Sequence, residues 1–300
     1  MMEKRDYHDL MAPEVLSSVS GLSLLAKVVV EAFLSGMHRS HKLGSGMEFS
    51  QYRAYEPGDD PRLLDWKMLA RSGRYYVRQS EQQNQVVAKF ILDASASMDH
   101  SEKGISKLAF ARALVACLSH LAQKQGDAIG LFALNQEDFV EIHPRTHKMQ
   151  HSLLLLELLK IGPKGQWPQA PTATRKVPSS GQRELIIFIT DMYEQKRELS
   201  EFIRNLKTRN NEVVLLQLMA GNEMDFDHRE AVTFEDLETG ARLQVDIKAA
   251  RADYLAALQQ RIAQIKEEML SNGVHHHLFR TDQHLGNALQ LFLRERARLN

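Results

Sequence analysis

The sequence predicts an α/β fold on a mostly parallel sheet, with helices on both faces and one antiparallel edge strand. Three observations carry that expectation. Short apolar runs alternate with helical stretches from residue 86 onward, two of those runs end in a carboxylate (Asp93 and Asp191), and one short alternating run follows its predecessor closely enough to form a hairpin. Strand-length apolar runs separated by helices are the pattern of right-handed crossover units on a parallel sheet.

Taken in order, Pro13 suits a first helical turn. Val15, Val19, Leu22, Leu25, Val28, Val29 and Phe33 then keep a helical period that Gly36 can close. "HRSHKLGSG" reads as a loop and "RYYVRQSE" as a short strand. "VVAKFILD" (86–93) is a buried strand, and Leu108, Ala111, Val115, Leu118 and Ala122 mark a helix ending near Gly126. "DAIGLFAL" is the next strand, and "FVEIHP" beside it supplies the hairpin edge. "KMQHSLLLLELLKIG" reads as a helix, whereas 162–183, rich in Gly, Pro, Gln and Thr, reads as a long exposed loop. "ELIIFITD" (184–191) is a strand, "ELSEFIRNLKTRNN" a helix and "EVVLLQLM" a strand. Leu255, Leu258, Ile262, Ile265 and Met269 mark a long helix before Gly273, and "VHHHLF" and a last helix to Arg298 complete the order. Residues 84–300 are thus the sheet domain. Residues 1–83 read as a segment packed on it, with too little apolar content to fold alone.

Composition narrows the function classes. With 38 basic and 38 acidic residues in 300 the formal charge is zero, so the Lys/Arg excess of a nucleic-acid binder is missing. One cysteine, Cys117, rules out an internal disulfide and suits a reducing compartment; its apolar helical setting reads as a core thiol. The greasiest early stretch, "LSLLAKVVVEAFL", is broken by Lys27 and Glu31 and falls short of the roughly 20 apolar residues a membrane span needs. The expected location is the cytoplasm. Neither a phosphate-binding G-x-x-x-x-G-K-[ST] loop nor a G-x-S-x-G elbow is present. His275, His276 and His277 are consecutive, and strand neighbours point to opposite faces, so they do not read as a ligand set.

Ligands of such a sheet bind at the carboxyl ends of its strands. There "DASAS" sets Asp93, Ser95 and Ser97 at alternate positions, where they can converge on one point. A carboxylate and two hydroxyls are hard oxygen donors suited to Mg²⁺ or Mn²⁺. Asp191 is the natural second carboxylate, and Thr146, after the edge strand, can add a hydroxyl.

"ILDASASM" resembles the metal-ion-dependent adhesion site of von Willebrand factor A-type domains, whose pattern is D-x-S-x-S with a distal Thr and Asp. Met192 stands where those domains commonly carry Gly. Upstream, "GSGMEFSQYRAYEPGDDPRLLDWKMLARSGRYYVRQ" is very similar to the signature of the domain-of-unknown-function 58 family, and "FEDLETGARL" and "DYLAAL" resemble that family's C-terminal part. The resemblance implies a von Willebrand factor A-like sheet with metal contacts from Asp93, Ser95, Ser97, Thr146 and Asp191. It also implies a partner, a MoxR-type AAA+ ATPase, with the chain acting as adaptor or co-chaperone toward a client protein.

The block "PGDDPRLLDW" itself reads in two ways. Alternating charges around Trp66 can form a network with Trp66 as apolar anchor, or Arg62, Asp65 and Trp66 can form a docking surface, since Trp and Arg are favoured at interfaces. The expected function is binding rather than catalysis. A Mg²⁺-dependent phosphatase using Asp93 is the enzyme alternative, but it normally wants a second carboxylate two residues on, where Ser95 stands. A structural domain with a vestigial metal site is the third reading.

Overall fold

The structure, a computed structural model, describes residues 10–41, 52–56, 64–78, 85–226 and 232–299. The chain divides into two compact units, one of Met1–Phe33 with Gln85–Asn300 and one of Leu34–Asn84.

In the larger unit six strands form one sheet among the described residues: β1 Val87–Asp93, β2 Ala128–Leu134, β3 Phe139–Arg145, β4 Glu184–Thr190, β5 Asn211–Met219 and β6 His275–Arg280. Their order is β6-β5-β4-β1-β2-β3. All neighbours run parallel except β3, which returns antiparallel along β2. The parallel sheet and its antiparallel edge are as expected.

Every residue of β1 is buried. A central strand covered on both faces has no solvent side, which explains an apolar run without alternation. Lys89 interrupts that run, and its ammonium is matched by Glu184 Oε1 on β4 at 2.5 Å and by the Pro178 carbonyl. The helix Lys107–Lys124 packs against β1 and β2. Ser106 caps it, its hydroxyl accepting from the Ala109 N–H at 3.1 Å. This helix is buried nearly all round, because the N-terminal helix Pro13–Leu16 lies against it and Leu22, Leu25, Val29 and Val30 are also buried. Cys117 lies on this helix, and burial pushes its thiol up to about 12, so it is a core group and not a thiolate nucleophile.

The helix Val19–His41 runs past Gly36, where the sequence suggested its end. One interior glycine costs a helix about 1 kcal/mol relative to alanine, which does not by itself end a helix. The segment 162–183 departs further from expectation. It contains the helix Ala170–Lys176, opened by a proline in its first turn, and it buries Trp167 against Phe188 and Phe202, with ring centroids 5.2 Å from each. A second feature was not anticipated: Val232–Glu235 and Arg242–Val245 pair as an antiparallel hairpin whose turn includes Gly240 at φ +71°.

The smaller unit pairs Tyr52–Ala54 with Tyr76–Arg78 and carries the helix Trp66–Ser72. Arg62 lies outside the described residues, as do Pro57, Gly58, Asp59 and Asp60. Asp65 is the helix cap, its Oδ1 accepting from the N–H groups of Lys67 (2.9 Å) and Met68 (3.1 Å). Trp66 is 63% exposed and is no apolar anchor. The consecutive histidines behave as strand residues: His276 hydrogen-bonds Gln217 at 2.9 Å, while His277 meets the Phe292 ring edge-on.

Candidate functional site

Parallel pairing brings the carboxyl ends of β1 and β4 side by side, so Asp93 reaches Thr190 and lies beside Asp191. Asp93 is fully buried, and both of its oxygens are engaged. Oδ1 accepts from the Ser95 N–H at 2.9 Å and Oδ2 from the Thr190 hydroxyl at 2.6 Å. The Ser95 and Ser97 hydroxyls are 3.0 Å apart, and Ser97 donates to Asp191 Oδ1 at 3.3 Å. Four of the five expected metal contacts, Asp93, Ser95, Ser97 and Asp191, therefore converge.

Thr146 does not join them. It follows β3, whose Arg145 stands opposite Ile129, whereas Asp93 stands opposite Leu134. Five residues of β2 separate those levels, about 17 Å at roughly 3.3 Å per residue. An antiparallel strand returns the chain to the amino ends of its neighbours, so the loop after it cannot serve a site at their carboxyl ends. The segment that does flank the site is 162–166. The Ala96 N–H donates to the Gly165 carbonyl at 2.8 Å, and the Lys164 N–H donates to the Ala94 carbonyl at 3.0 Å. Asn135, buried at the end of β2, holds the Ala94 and Gly162 carbonyls through its amide.

Three further charged residues enter the site. Lys107, first in its helix, is buried with its ammonium 3.0 Å from Asp191 Oδ2 and 2.7 Å from Glu223 Oε1. Burial alone would lower its pKa, but Asp191 and Glu223 more than offset this and hold it raised. Glu238, in the hairpin turn, is the third. Its Oε1 is buried without a hydrogen-bond partner.

Electrostatics set the character of the site. Burial, and then the neighbouring Asp191, push Asp93 up to about 7. Burial, followed by Asp93, Asp191 and Asp236, pushes Glu238 up to about 8. Asp93, Asp191, Glu223 and Glu238 thus share a region whose internal cation is Lys107. Carboxylates crowded in this way favour a bound cation or a retained proton. Among the described residues no group of three His, Cys, Asp or Glu side chains stands ready to hold a metal. The available set is instead two carboxylates with two hydroxyls, the hard donors that Mg²⁺ takes while keeping part of its water. The residues present fit such an ion.

Met192, after Asp191, has φ +59° and is buried, a left-handed conformation in which glycine is the usual residue. Next to it an open cavity of about 1240 Å³ runs under the hairpin, lined by Tyr193, Phe226, Phe234, Leu243, Tyr254 and Ile265 among others.

The family described as "Protein of unknown function DUF58" matches residues 51–264. An uncharacterized protein of Mycobacterium tuberculosis is 24% identical over 281 residues, covering 92% of this chain and 87% of its own. An uncharacterized protein of Mycobacterium bovis matches to the same extent, with 24% identity over 281 residues. Among solved structures, BatB from Bacteroides thetaiotaomicron shares 16% identity at a TM-score of 0.44, over 71% of this chain and 99% of that one. An aerotolerance-related membrane protein from Bacteroides fragilis shares 19% at 0.43, over 70% and 97%. The SpRpn10 VWA domain shares 11% at 0.38, over 68% and 94%. Among the described residues of this chain, no helix is long and apolar enough to cross a membrane.

Proposed function

This chain belongs to the DUF58 family of proteins of unknown function, and we propose that it is a metal-dependent protein-binding adaptor. Its larger unit has a von Willebrand factor A-like fold, a mostly parallel sheet with an antiparallel edge and a D-x-S-x-S loop at the end of the central strand. The observation that supports the reading most is the convergence of Asp93, Ser95, Ser97 and Asp191 at the strand ends. A Mg²⁺ or Mn²⁺ ion held by these side chains keeps coordination positions for water or for a carboxylate from another protein. The partner proposed is a MoxR-type AAA+ ATPase, with this chain connecting it to a client. Exposed Trp66 supports a second contact region on the smaller unit. Asp65 contributes there as the cap that shapes the helix, because its carboxylate already accepts two backbone N–H groups.

The phosphatase alternative has little support. Asp93 Oδ2 accepts a 2.6 Å hydrogen bond from Thr190 and Oδ1 another from the Ser95 N–H, an orientation suited to holding position.

A ligand that binds the native state alone stabilises it by about 1.4 kcal/mol at tenfold excess over Kd. In millimolar Mg²⁺ the melting temperature is expected to rise by a few degrees, and chelator is expected to reverse it. Ser95→Ala with Ser97→Ala should remain folded and lose that rise, together with capture of the ATPase. Capture equal to wild type in this double variant would move the docking site to the region around Trp66.

A further inference from the structure

We propose that the outward face of the helix Trp66–Ser72, together with Arg74 and Tyr75, docks an acidic segment of a partner protein. The proposal rests on the reading of a second contact region around Trp66, names the chemistry of its partner, and needs no metal ion.

Backbone hydrogen bonds hold this surface in place. The Asp65 N–H donates to the Tyr76 carbonyl at 2.9 Å, and the Tyr55 N–H donates to the Tyr75 carbonyl at 3.0 Å. The helix closes on Gly73, whose N–H donates to the Leu69 carbonyl at 2.9 Å and whose φ of +67° turns the chain. Arg74 and Tyr75 follow directly, and the Tyr75 ring lies beside Tyr55 with centroids 6.2 Å apart.

Met68 and Leu69 are half-buried, whereas Trp66, Lys67, Ala70 and Arg71 are exposed. Trp66 and Ala70 stand one helical turn apart, as do Lys67 and Arg71, so these four residues form one continuous face. Trp66 is 63% exposed and Tyr75 54%. Tyrosine, tryptophan and arginine are the residues that carry binding energy at protein interfaces.

Charge decides the occupant. Lys67, Arg71 and Arg74 make no ion pair among the described residues. On the larger unit, by contrast, Arg197, Arg242, Arg261, Arg280 and Arg296 each meet a carboxylate. Asp65 is buried as the helix cap. Cations one turn apart repel, so carboxylates arriving at this face relieve a repulsion and gain partners. The zero formal charge of the chain favours an acidic peptide here over a nucleic-acid backbone.

Fluorescence anisotropy of a labelled peptide of glutamate and leucine, titrated with the full chain at low ionic strength, tests the idea. Wild type should bind it, and added salt should weaken the binding. Trp66→Ala, and Arg71→Glu with Arg74→Glu, should each weaken it at least tenfold while leaving the melting temperature unchanged. Arg71→Lys with Arg74→Lys should retain most of the affinity, and a peptide with lysine in place of glutamate should not bind. Ser95→Ala with Ser97→Ala should bind the acidic peptide as wild type does, so failure of the metal reading leaves this surface standing. Absence of binding, or equal binding by the charge-reversed variant, overturns the proposal. So does a single-stranded oligonucleotide that binds wild type more tightly than the peptide and is lost in that variant.

Discussion

Replacing Lys89 with methionine is expected to destabilise the fold by about 3–5 kcal/mol, the usual cost of removing one partner from a buried ion pair. Lys89 is 2% exposed on the central strand, and its ammonium meets Glu184 Oε1 and the Pro178 carbonyl. Without it Glu184 becomes a buried charge supported by the Ser180 N–H at 2.5 Å. Glu184→Gln added to Lys89→Met should restore part of the loss, because a neutral amide is cheaper to bury. The pH dependence has a defined sign. Burial alone would raise the pKa of Glu184, yet hydrogen bonds from Lys89 and Ser180 hold it below the ordinary glutamate value. The pair therefore stabilises above the unfolded carboxyl pKa and is lost as pH falls through the depressed folded value. The stability gap between wild type and Lys89→Met should narrow as the pH is lowered below the ordinary glutamate value of 4.5, measured by denaturant unfolding. A gap that widens over that range contradicts the pairing.

Trp167→Ala is expected to cost a similar amount, about 3–5 kcal/mol, for deleting a large buried aromatic. Trp167 is 2% exposed between Phe188 and Phe202, which themselves meet edge-on at 5.4 Å. Its indole N–H is buried without a partner. Trp167→Phe keeps a ring and removes that unsatisfied donor, so its cost should be smaller, about 1–2 kcal/mol. The alanine variant should also weaken metal binding, since Gly165 and Gln166 next to Trp167 bond to Ala96 and Gln136 beside the site. Equal stability of the alanine and phenylalanine variants would show that the indole is not part of the packed core.

Much of this was legible in the chain because burial writes itself into strand sequences. "VVAKFILD" and "ELIIFITD" could not be surface strands, and their terminal carboxylates marked the right end of the sheet. Thr146 was misplaced for a reason the sequence already held. If "FVEIHP" pairs antiparallel with its predecessor, the residue after it must lie at the opposite end from Asp93. Segment 162–183 concealed its structure because Gly, Pro and Gln dominate its composition, while the one residue that decides its burial, Trp167, needs a partner on a distant helix. Lys107 has nothing in the local sequence to set it apart, and its burial depends on Asp191 and Glu223, 84 and 116 residues away. Glu238 belongs to a hairpin whose strands, "VTFE" and "RLQV", do alternate in polarity, a signal available in the sequence.

The central claim is that a divalent ion sits among Asp93, Ser95, Ser97 and Asp191. Substoichiometric Mn²⁺ added to the isotope-labelled chain tests it most directly, because a paramagnetic ion broadens the amide resonances nearest to it. The account predicts that Asp93–Met98 and Asp191–Tyr193 broaden first, and that excess Mg²⁺ restores them. Broadening that begins elsewhere, for instance along His275–His277, or that Mg²⁺ leaves unchanged, would contradict it.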